Sequence, residues 1–403
     1  MSKTKRVPNL RFQGFTNNWE QNKLSQYLTI SNTKNKDLVF NKYSVLSVSD
    51  ESGVINQIKL QGKSLAGKDL SNYKVLLPNQ MVYTKSPLKN SPYGIVKANK
   101  GTSGIVSTLY GVYSPLEIAD SNFIEYYFTD KLRLNRYLKP IVNIGAKHSM
   151  GISDKEFLNH IVIFPNKKEQ RNISKFFDKL EHTIDLYQHK LDQLRVLKEI
   201  LLQKLFANDQ HDKPELRFKD FTDKWEKVKI GSLFTESTEK SATGQLLSVS
   251  INKGVYPFDE TERKNNSSKN KSNYKFVEKY DIAYNSMRMW QGAEGVSYYS
   301  GIVSPAYTVL KPQQNSNPEF YAYMFKRAEM LNKFRRYSQG LTSDTWNLKF
   351  PILKTISLRT TDIKEQEKIV QLLRMVKDNI SLQQKKLTQY QQAKKFLLQQ
   401  MFI

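Results

Sequence analysis

The sequence predicts a mixed α/β protein in which two repeated globular domains are joined by two long helices, and the helices pair as an antiparallel coiled coil with internal pseudo-twofold symmetry. Three observations predict this architecture. A sequence box near the start returns about 200 residues later, each copy ends in a heptad-patterned segment, and these segments align without gaps. The predicted division is a first domain over residues 1–165, a first helix over 166–206, a second domain over 207–361 and a second helix over 362–403.

The repeat is clearest at the start of each copy. Residues 8–28 and 214–234 share nine identities in 21 positions, and both contain the box PxLRFxxFxxxWE. The offset is 206 residues here and 197 where GIVS at 104–107 returns at 301–304. A shrinking offset indicates that the second copy has shorter loops, which is where deletions are best tolerated.

The globular parts read as short strands separated by turns rich in Gly, Pro, Asn and Ser. The predicted strands of the first copy lie at 43–49, 80–84, 104–107 and 160–164. One helix is predicted over 122–138, and its counterpart in the second copy over 318–337.

The two long segments carry apolar residues at alternating spacings of four and three, which is typical of a coiled-coil seam. Neither contains Gly or Pro, and each opens on a capping-box pattern, Asn166 with Glu169 and Asp362 with Glu365. Core packing in an ordinary helical domain is the alternative, but two matched segments favour pairing with each other. The predicted seam residues are Ile173, Phe177, Leu180, Ile184, Leu191, Leu194, Leu201, Ile369, Leu373, Val376, Ile380, Leu387 and Leu397.

The charge of the chain points to a polyanionic partner. There are 63 Lys and Arg against 38 Asp and Glu, and the formal net charge is +25. Lysine and arginine that neutralise phosphates release counterions, so nucleic acid is the favoured partner. No run of about 18 apolar residues is present, so we expect a protein of the cytoplasm rather than of a membrane.

The sequence predicts no catalytic residue and no metal site in this chain. It contains no cysteine, and its five histidines form no pair at i, i+4. Residues 90–93, Asn-Ser-Pro-Tyr, are similar to the N-P-P-Y tetrapeptide of adenine methyltransferases. However, Ser91 replaces the first proline, and residues 291–294 of the second copy read Gln-Gly-Ala-Glu.

Basic, aromatic and polar residues in the predicted loops are the candidate nucleic-acid contacts. Arg and Gln can bind guanine and adenine edges with two hydrogen bonds. Solvated surface charge is the alternative for each lysine, and burial against an internal acid is the alternative for Arg288. The candidates are Lys85, Lys89, Tyr93, Lys97, Lys100, Lys147 and His148 in the first copy, and Arg263, Lys264, Lys269, Lys271, Arg288, Trp290, Gln291, Thr342 and Ser343 in the second.

The combination of boxes and helices resembles the specificity subunit of Type I restriction–modification systems. The resemblance rests on the two PxLRFxxFxxxWE boxes, on KKEQRNI at 167–173 and IKEQEKI at 363–369, and on the paired heptad segments. It implies two target recognition domains that read a bipartite double-stranded DNA sequence, and an antiparallel helical spacer that docks two modification subunits.

The resemblance also implies a subunit without chemistry of its own. The modification subunits would methylate adenine with S-adenosylmethionine, and restriction subunits in the nuclease form would use ATP and Mg, so these cofactors belong to the partners. The alternative is a scaffold or adaptor whose coiled coil recruits proteins and whose basic domains bind nucleic acid without sequence preference.

Overall fold

The computed structural model describes most of the chain, namely residues 6–88, 91–144, 150–260, 267–268 and 270–403. These residues form two compact units. The first unit combines the described residues up to 188 with 385–403, and the second consists of 189–384. Each unit therefore contains one globular part, the first half of the long helix that follows it, and the second half of the other long helix.

The first unit is organised around a four-stranded antiparallel sheet with the strand order β2-β9-β6-β7. The pairs β1-β12, β3-β4, β5-β8 and β10-β11 are also antiparallel. The strands are β1 Glu20–Lys23, β2 Leu28–Ile30, β3 Leu46–Ser49, β4 Gly53–Asn56, β5 Lys74–Leu76, β6 Met81–Tyr83, β7 Val96–Ala98, β8 Gly104–Val106, β9 Gly111–Pro115, β10 Asn143–Ile144, β11 Met150–Gly151 and β12 Ile161–Phe164. The helices are α1 Gln57–Gln61, α2 Ser121–Thr129, α3 Lys131–Leu138, α4 Asp154–Asn159 and α5 Lys167–Lys204.

The second unit repeats this topology. Its four-stranded sheet has the order β14-β21-β18-β19, in which each strand corresponds to one of the first sheet. The strands are β13 Glu226–Lys229, β14 Phe234–Glu236, β15 Leu247–Ser250, β16 Gly254–Pro257, β17 Lys275–Val277, β18 Ile282–Asn285, β19 Glu294–Val296, β20 Gly301–Val303, β21 Tyr307–Pro312 and β22 Ser357–Thr360. The helices are α6 Pro318–Phe325, α7 Ala328–Tyr337, α8 Phe350–Leu353 and α9 Ile363–Gln400.

The prediction of one helix over 122–138 is wrong, because the structure has two short helices there. The chain leaves helical geometry at Asp130, whose ψ is 115°. The Asp130 carboxylate then accepts a hydrogen bond from the backbone N–H of Arg133, at 2.8 Å, and so caps α3. The counterpart predicted over 318–337 is divided in the same way, at Arg327 with ψ 144°.

The repeated sequence box fastens the start of each copy to the start of its long helix. Arg11 binds the buried carboxylate of Glu169 through Nε and Nη2, at 2.6 and 2.7 Å, and Trp19 Nε1 donates to the same carboxylate at 3.3 Å. The second unit repeats the arrangement with Arg217, Trp225 and Glu365. The box therefore has a structural function, since a buried carboxylate needs a partner of opposite charge.

The capping-box prediction holds only in part. Asn166 Oδ1 accepts from the backbone N–H of Glu169 at 3.0 Å, and Asp362 Oδ1 accepts from that of Glu365 at 3.1 Å. The carboxylates of Glu169 and Glu365 do not complete the box, because each accepts from the arginine and tryptophan of its own unit.

Within each unit the two long helices pack antiparallel. In the first unit Phe177 contacts Phe402, with ring centroids 5.9 Å apart, and Tyr187 stacks on Tyr390 at 5.2 Å. As the residue number increases along α5, the number of the contacting residue in or just after α9 decreases, which is the antiparallel arrangement. In the second unit the end of α5 and the start of α9 share one core, which includes Leu201, Leu205, Ile369 and Leu373.

The predicted seam residues face protein rather than solvent. All thirteen are buried or half-buried, although Leu398 is more deeply buried than its predicted neighbour Leu397. Gln383 interrupts the apolar pattern, is itself buried, and its Oε1 has no hydrogen-bond partner among the described residues. The helix bounds lie inside the predicted segments 166–206 and 362–403, and the four-part domain division stays a prediction.

Candidate nucleic-acid interface

A cavity of about 190 Å³ opens in the second unit, beyond the end of β18. One wall is the loop between β18 and β19, and the other is a hairpin over residues 339–347. Four of the predicted nucleic-acid contacts, Arg288, Trp290, Gln291 and Ser343, line it together with Asn285, Met287 and Asp344. The fold thus brings together side chains that lie in two separate stretches of sequence.

Backbone hydrogen bonds give the β18–β19 loop a defined shape. Asn285 Oδ1 accepts from the backbone N–H of Met287 at 3.0 Å, and the Asn285 carbonyl accepts from that of Arg288 at 2.9 Å. A 3₁₀ turn over Met289–Gln291 follows and ends at Gly292, whose φ of 84° suits a residue without Cβ. The loop therefore presents Arg288 and Gln291 from an ordered backbone.

Arg288 is exposed, and its guanidinium Nη1 donates to Gln291 Oε1 at 3.2 Å. No carboxylate among the described residues forms an ion pair with it, so the alternative of burial against an internal acid is not what the structure has. Both side chains belong to the types that read base edges in the major groove, and their mutual bond holds them side by side.

Trp290 joins the two walls of the cavity. Its Nε1 donates to the Met287 carbonyl at 3.1 Å, and its ring meets Trp346 of the hairpin edge-on, with centroids 5.1 Å apart. The hairpin is also tied to the loop by the Leu348 N–H, which donates to the Ser286 carbonyl at 2.8 Å. Trp290 is half-buried, so this placement favours a positioning role for it.

Sequence reasoning missed three basic residues close to the hairpin in sequence. Arg335 and Arg336 are exposed in the last turn of α7, just before the hairpin, and exposed Lys349 lies just after it. In the part of the chain that the structure describes, none of the three forms an ion pair. The sequence feature that indicates Arg335 and Arg336 is a basic pair directly before a polar turn, and basic residues at such a position suit phosphate contacts.

The first unit has a strand pair at the corresponding position. β10 and β11 pair Asn143 with Gly151, which lie 196 positions before Gln339 and Asn347, the residues that pair in the second unit. The predicted contacts Lys147 and His148 belong to the segment between these strands and lie outside the described residues.

Two predicted contacts of the first unit, Lys85 and Tyr93, are engaged with protein groups. Lys85 Nζ lies 2.6 Å from Asp154 Oδ1, which also accepts from Tyr113 at 2.7 Å. Burial works against ionisation of Asp154, but the bonds from Lys85 and Tyr113 prevail and hold the pKa of this carboxyl below its usual range. Tyr93 is half-buried against the core, and its carbonyl accepts from Tyr83.

Lys97 and Lys100 are neutralised by acids of the same unit. Lys97 is buried, with Nζ 3.8 Å from both Asp50 and Glu125. Lys100 Nζ lies 3.4 Å from Glu125 and 3.2 Å from Asp178 of α5. Burial acts to lower the pKa of Lys100, but the neighbouring carboxylates outweigh it and the pKa is raised. This placement favours a structural role for both lysines.

For the remaining predicted contacts, the structure gives the exposure of two and does not describe the others. Thr342 is exposed on the hairpin of the second unit, and Lys271 is half-buried in a loop. The other predicted residues lie outside the described part of the chain, namely Lys89, Arg263, Lys264 and Lys269.

The strand that follows the loop carries an unusual buried acid. Glu294 in β19 is fully buried, and neither of its carboxylate oxygens has a hydrogen-bond partner among the described residues. Burial raises its pKa to about 8, against a small opposing effect of Lys326. The equivalent position in the first unit is Val96, because Glu294 pairs with Tyr284 as Val96 pairs with Tyr83.

Among the described residues no cluster of three or more His, Cys, Asp or Glu could hold a metal ion. No described helix is both long and apolar enough to cross a membrane. The side chains that line the cavity offer hydrogen-bonding groups and charge, which suit the binding of a polar ligand.

Comparison with known proteins identifies relatives of this chain. Residues 222–392 match the family model described as Type I restriction modification DNA specificity domain. The S subunit of the Type I restriction–modification system from M. genitalium has a similar structure, with a TM-score of 0.58, 12% identity and coverage of 98% of this chain and 99% of that one. The HsdS subunit from Thermoanaerobacter tengcongensis gives a TM-score of 0.46 at 12% identity, over 95% of this chain and 96% of that one.

Proposed function

We propose that this chain, of which residues 222–392 match the family model for the Type I restriction modification DNA specificity domain, is a specificity subunit and selects the DNA sequence on which a modification and restriction complex acts. The observation that carries the proposal is the cavity of the second unit. There an exposed arginine that forms no ion pair with any described carboxylate lies beside a glutamine on an ordered loop, and three basic residues close by in sequence likewise form no ion pair in the described part of the chain. Base-edge contacts specify sequence and phosphate contacts position the protein, and this surface offers both kinds of group.

Each unit reads one half of a bipartite site in this proposal. The two units share sheet order, hairpin and anchoring box, but differ in the residues of their loops. A shared framework with divergent loops is suited to reading two different short sequences. The prediction that follows is modular, since exchange of one globular part should alter one half-site only.

The long helices serve as the docking surface for partner subunits. A coiled coil that only spaced two domains would expose mainly polar side chains, whereas several large apolar residues are exposed here. They are Leu186, Val196, Leu197 and Ile200 on α5, and Met375, Leu382 and Phe396 on α9. In the second unit Val196, Ile200 and Ile380 line one groove.

The partners supply the chemistry. We expect two modification subunits that transfer a methyl group from S-adenosylmethionine to adenine, and in the nuclease form restriction subunits that use ATP and Mg. The chain itself is then non-catalytic, and it acts on cytoplasmic DNA. Purified chain alone should neither methylate nor cleave DNA, and both activities should appear only when partners are added.

A binding competition tests the proposal against a scaffold that binds nucleic acid without sequence preference. The target is first found by mapping methylated adenines in cells with and without the chain. The complex of the chain with its modification subunits is then bound to the target duplex in the presence of random duplex of equal length, at rising salt. A sequence reader retains its preference as phosphate binding weakens, whereas a scaffold shows none at any salt.

The variant Arg288→Ala sharpens this test. Loss of a two-bond contact to a base costs roughly 1 to 3 kcal/mol of discrimination, so the affinity for the target should fall about 5- to 150-fold. Binding to random duplex should change much less. Lys227→Ala, which removes an exposed charge from β13 without touching the cavity, is the control. Equal losses on target and random DNA would contradict a base-reading role for Arg288.

A further inference from the structure

The 339–347 hairpin carries a leucine, Leu341, that is not buried by any of the described residues. Leu341 is 100% exposed and directly precedes the turn over residues 342–345, of which Ser343 and Asp344 line the cavity. Single exposed apolar side chains are common on protein surfaces, so exposure alone assigns Leu341 no function, and the backbone that presents it has to be considered. The question is therefore whether this tip is loosely held.

Hydrogen bonds close the hairpin directly below Leu341. Gln339 and Asn347 exchange two backbone bonds, at 3.0 and 2.8 Å, and the Thr345 N–H donates to the Thr342 carbonyl at 3.0 Å. Thr345 Oγ1 also accepts from the Thr342 N–H at 3.1 Å. Gly340 has a φ of 148°, and a Cβ there would lie 2.6 Å from the Thr345 carbonyl oxygen. The leucine is therefore presented on an ordered turn rather than on a slack loop.

The charges along the hairpin divide it into two parts. The basic residues Arg335, Arg336 and Lys349 flank its base in sequence, whereas residues 341–345 read Leu-Thr-Ser-Asp-Thr and include one acid and no base. An acidic, apolar tip is a poor phosphate ligand. Apolar wedges do, however, enter between base pairs when phosphate contacts hold the rest of the protein on the duplex.

The first unit provides an internal comparison. Its hairpin has the same register, but residues 145–149 read Gly-Ala-Lys-His-Ser, which differ from 341–345 at every position. The paired positions are thus the same in both units, whereas the sequences between them diverge. Surface turns tolerate such divergence, and an element that contacts different bases in two half-sites requires it.

We propose that the hairpin tip of the second unit enters a groove of the DNA and that Leu341 inserts as a wedge between two base pairs of its half-site. This inference rests on the proposed function. The wedge partly unstacks one base step, so the half-site must contain a step that is easily unstacked, such as TA or CA. The first unit has Gly145 at the aligned position and reads its half-site without a wedge.

Fluorescence of 2-aminopurine tests the wedge, because this adenine analogue is quenched when stacked and brightens when unstacked. It replaces in turn each adenine on either strand of both half-sites in the mapped target duplex, because it pairs with thymine as adenine does. The complex of full chain and modification subunits is added, with the chain either as wild type or as one of the variants Leu341→Ala, Leu341→Met and Leu216→Ala. Leu216→Ala is the matched control, because it truncates an exposed leucine in the box of the same unit. The methylated adenines are left out of the scan, since methyltransferases turn their target base out of the helix.

We expect one position in the second unit's half-site to brighten with wild type, and no position in the other half-site. Leu341→Ala should abolish the increase in fluorescence. It should also lower the affinity for the target about 10-fold and change the affinity for random duplex little. Leu341→Met and Leu216→Ala should behave as wild type. If wild type prefers its target but no base brightens, or if Leu341→Ala keeps the signal, the wedge is refuted and the proposed function stands. If wild type shows no sequence preference at all, the proposed function itself is refuted.

Discussion

The buried carboxyl of Glu294 makes the stability of the second unit depend on pH in a direction that the structure specifies. Its pKa is about 8 in the folded protein, against 4.5 for an ordinary glutamate. The folded state therefore holds a proton that the unfolded state has lost, and stability falls as pH rises from about 4.5 to about 8 and then levels off. The interval of about 3.5 pH units corresponds to about 5 kcal/mol.

Two variants isolate this contribution. Glu294→Val copies the residue at the equivalent position of the first unit, Val96, and Glu294→Gln keeps the shape without an ionisable proton. Asp281 also has a raised pKa, of about 6, caused mainly by burial, so the useful window lies above it, between pH 6.5 and 8. Across that window wild type should lose about 2 kcal/mol of unfolding free energy relative to either variant.

Urea unfolding followed by tryptophan fluorescence measures the effect. Three of the four tryptophans, Trp225, Trp290 and Trp346, belong to the second unit, so the signal reports mainly on that unit. Glu226→Gln, at an exposed position of β13, serves as the control and should follow wild type. Equal pH dependence in wild type and in both Glu294 variants would refute the reasoning, because it would mean that this carboxyl does not hold its proton in the fold.

Two other predictions concern charge. Arg335→Ala and Arg336→Ala should each remove one phosphate contact, so each should reduce the slope of log binding constant against log salt concentration on random duplex by about one. An unchanged slope would place both residues away from the DNA. Arg217→Met leaves the buried Glu365 carboxylate without its two-bond partner, so it should lower the free energy of unfolding by about 3 to 5 kcal/mol in urea titrations. The control Lys219→Met, at an exposed position of the same box, should leave the free energy of unfolding unchanged. Equal effects of the two variants would show that the box has no anchoring role.

Much of the fold could be predicted from local patterns. The heptad spacing of residues such as Ile173 and Ile369 predicts long helices, and the predicted seam residues are buried or half-buried, although Leu398 is more deeply buried than the predicted Leu397. The division of the predicted helix over 122–138 was missed because Asp130 is an ordinary surface residue in the pattern. Its capping bond to Arg133 becomes visible only when the backbone path is known.

The candidate site was predicted in outline for the second unit and poorly for the first. Arg288 and Gln291 stood out as residue types that read bases, and they do line the cavity. Lys97 and Lys100 looked equally suitable, but Glu125 and Asp178 neutralise them. Composition alone does not distinguish a free lysine from one paired with an acid many residues away.

The duplication and the two long helices follow from residue spacing in the amino-acid sequence, and its net charge predicts a polyanionic partner. The tertiary structure shows which charges form no ion pair among the described residues, which buried acid has no hydrogen-bond partner among them, and that exposed Leu341 lies on the hairpin whose Ser343 and Asp344 line the cavity with Arg288. The physical reason is that ion pairing and burial depend on which distant segments of the chain the fold brings within a few ångströms of each other, whereas periodicity and net charge do not.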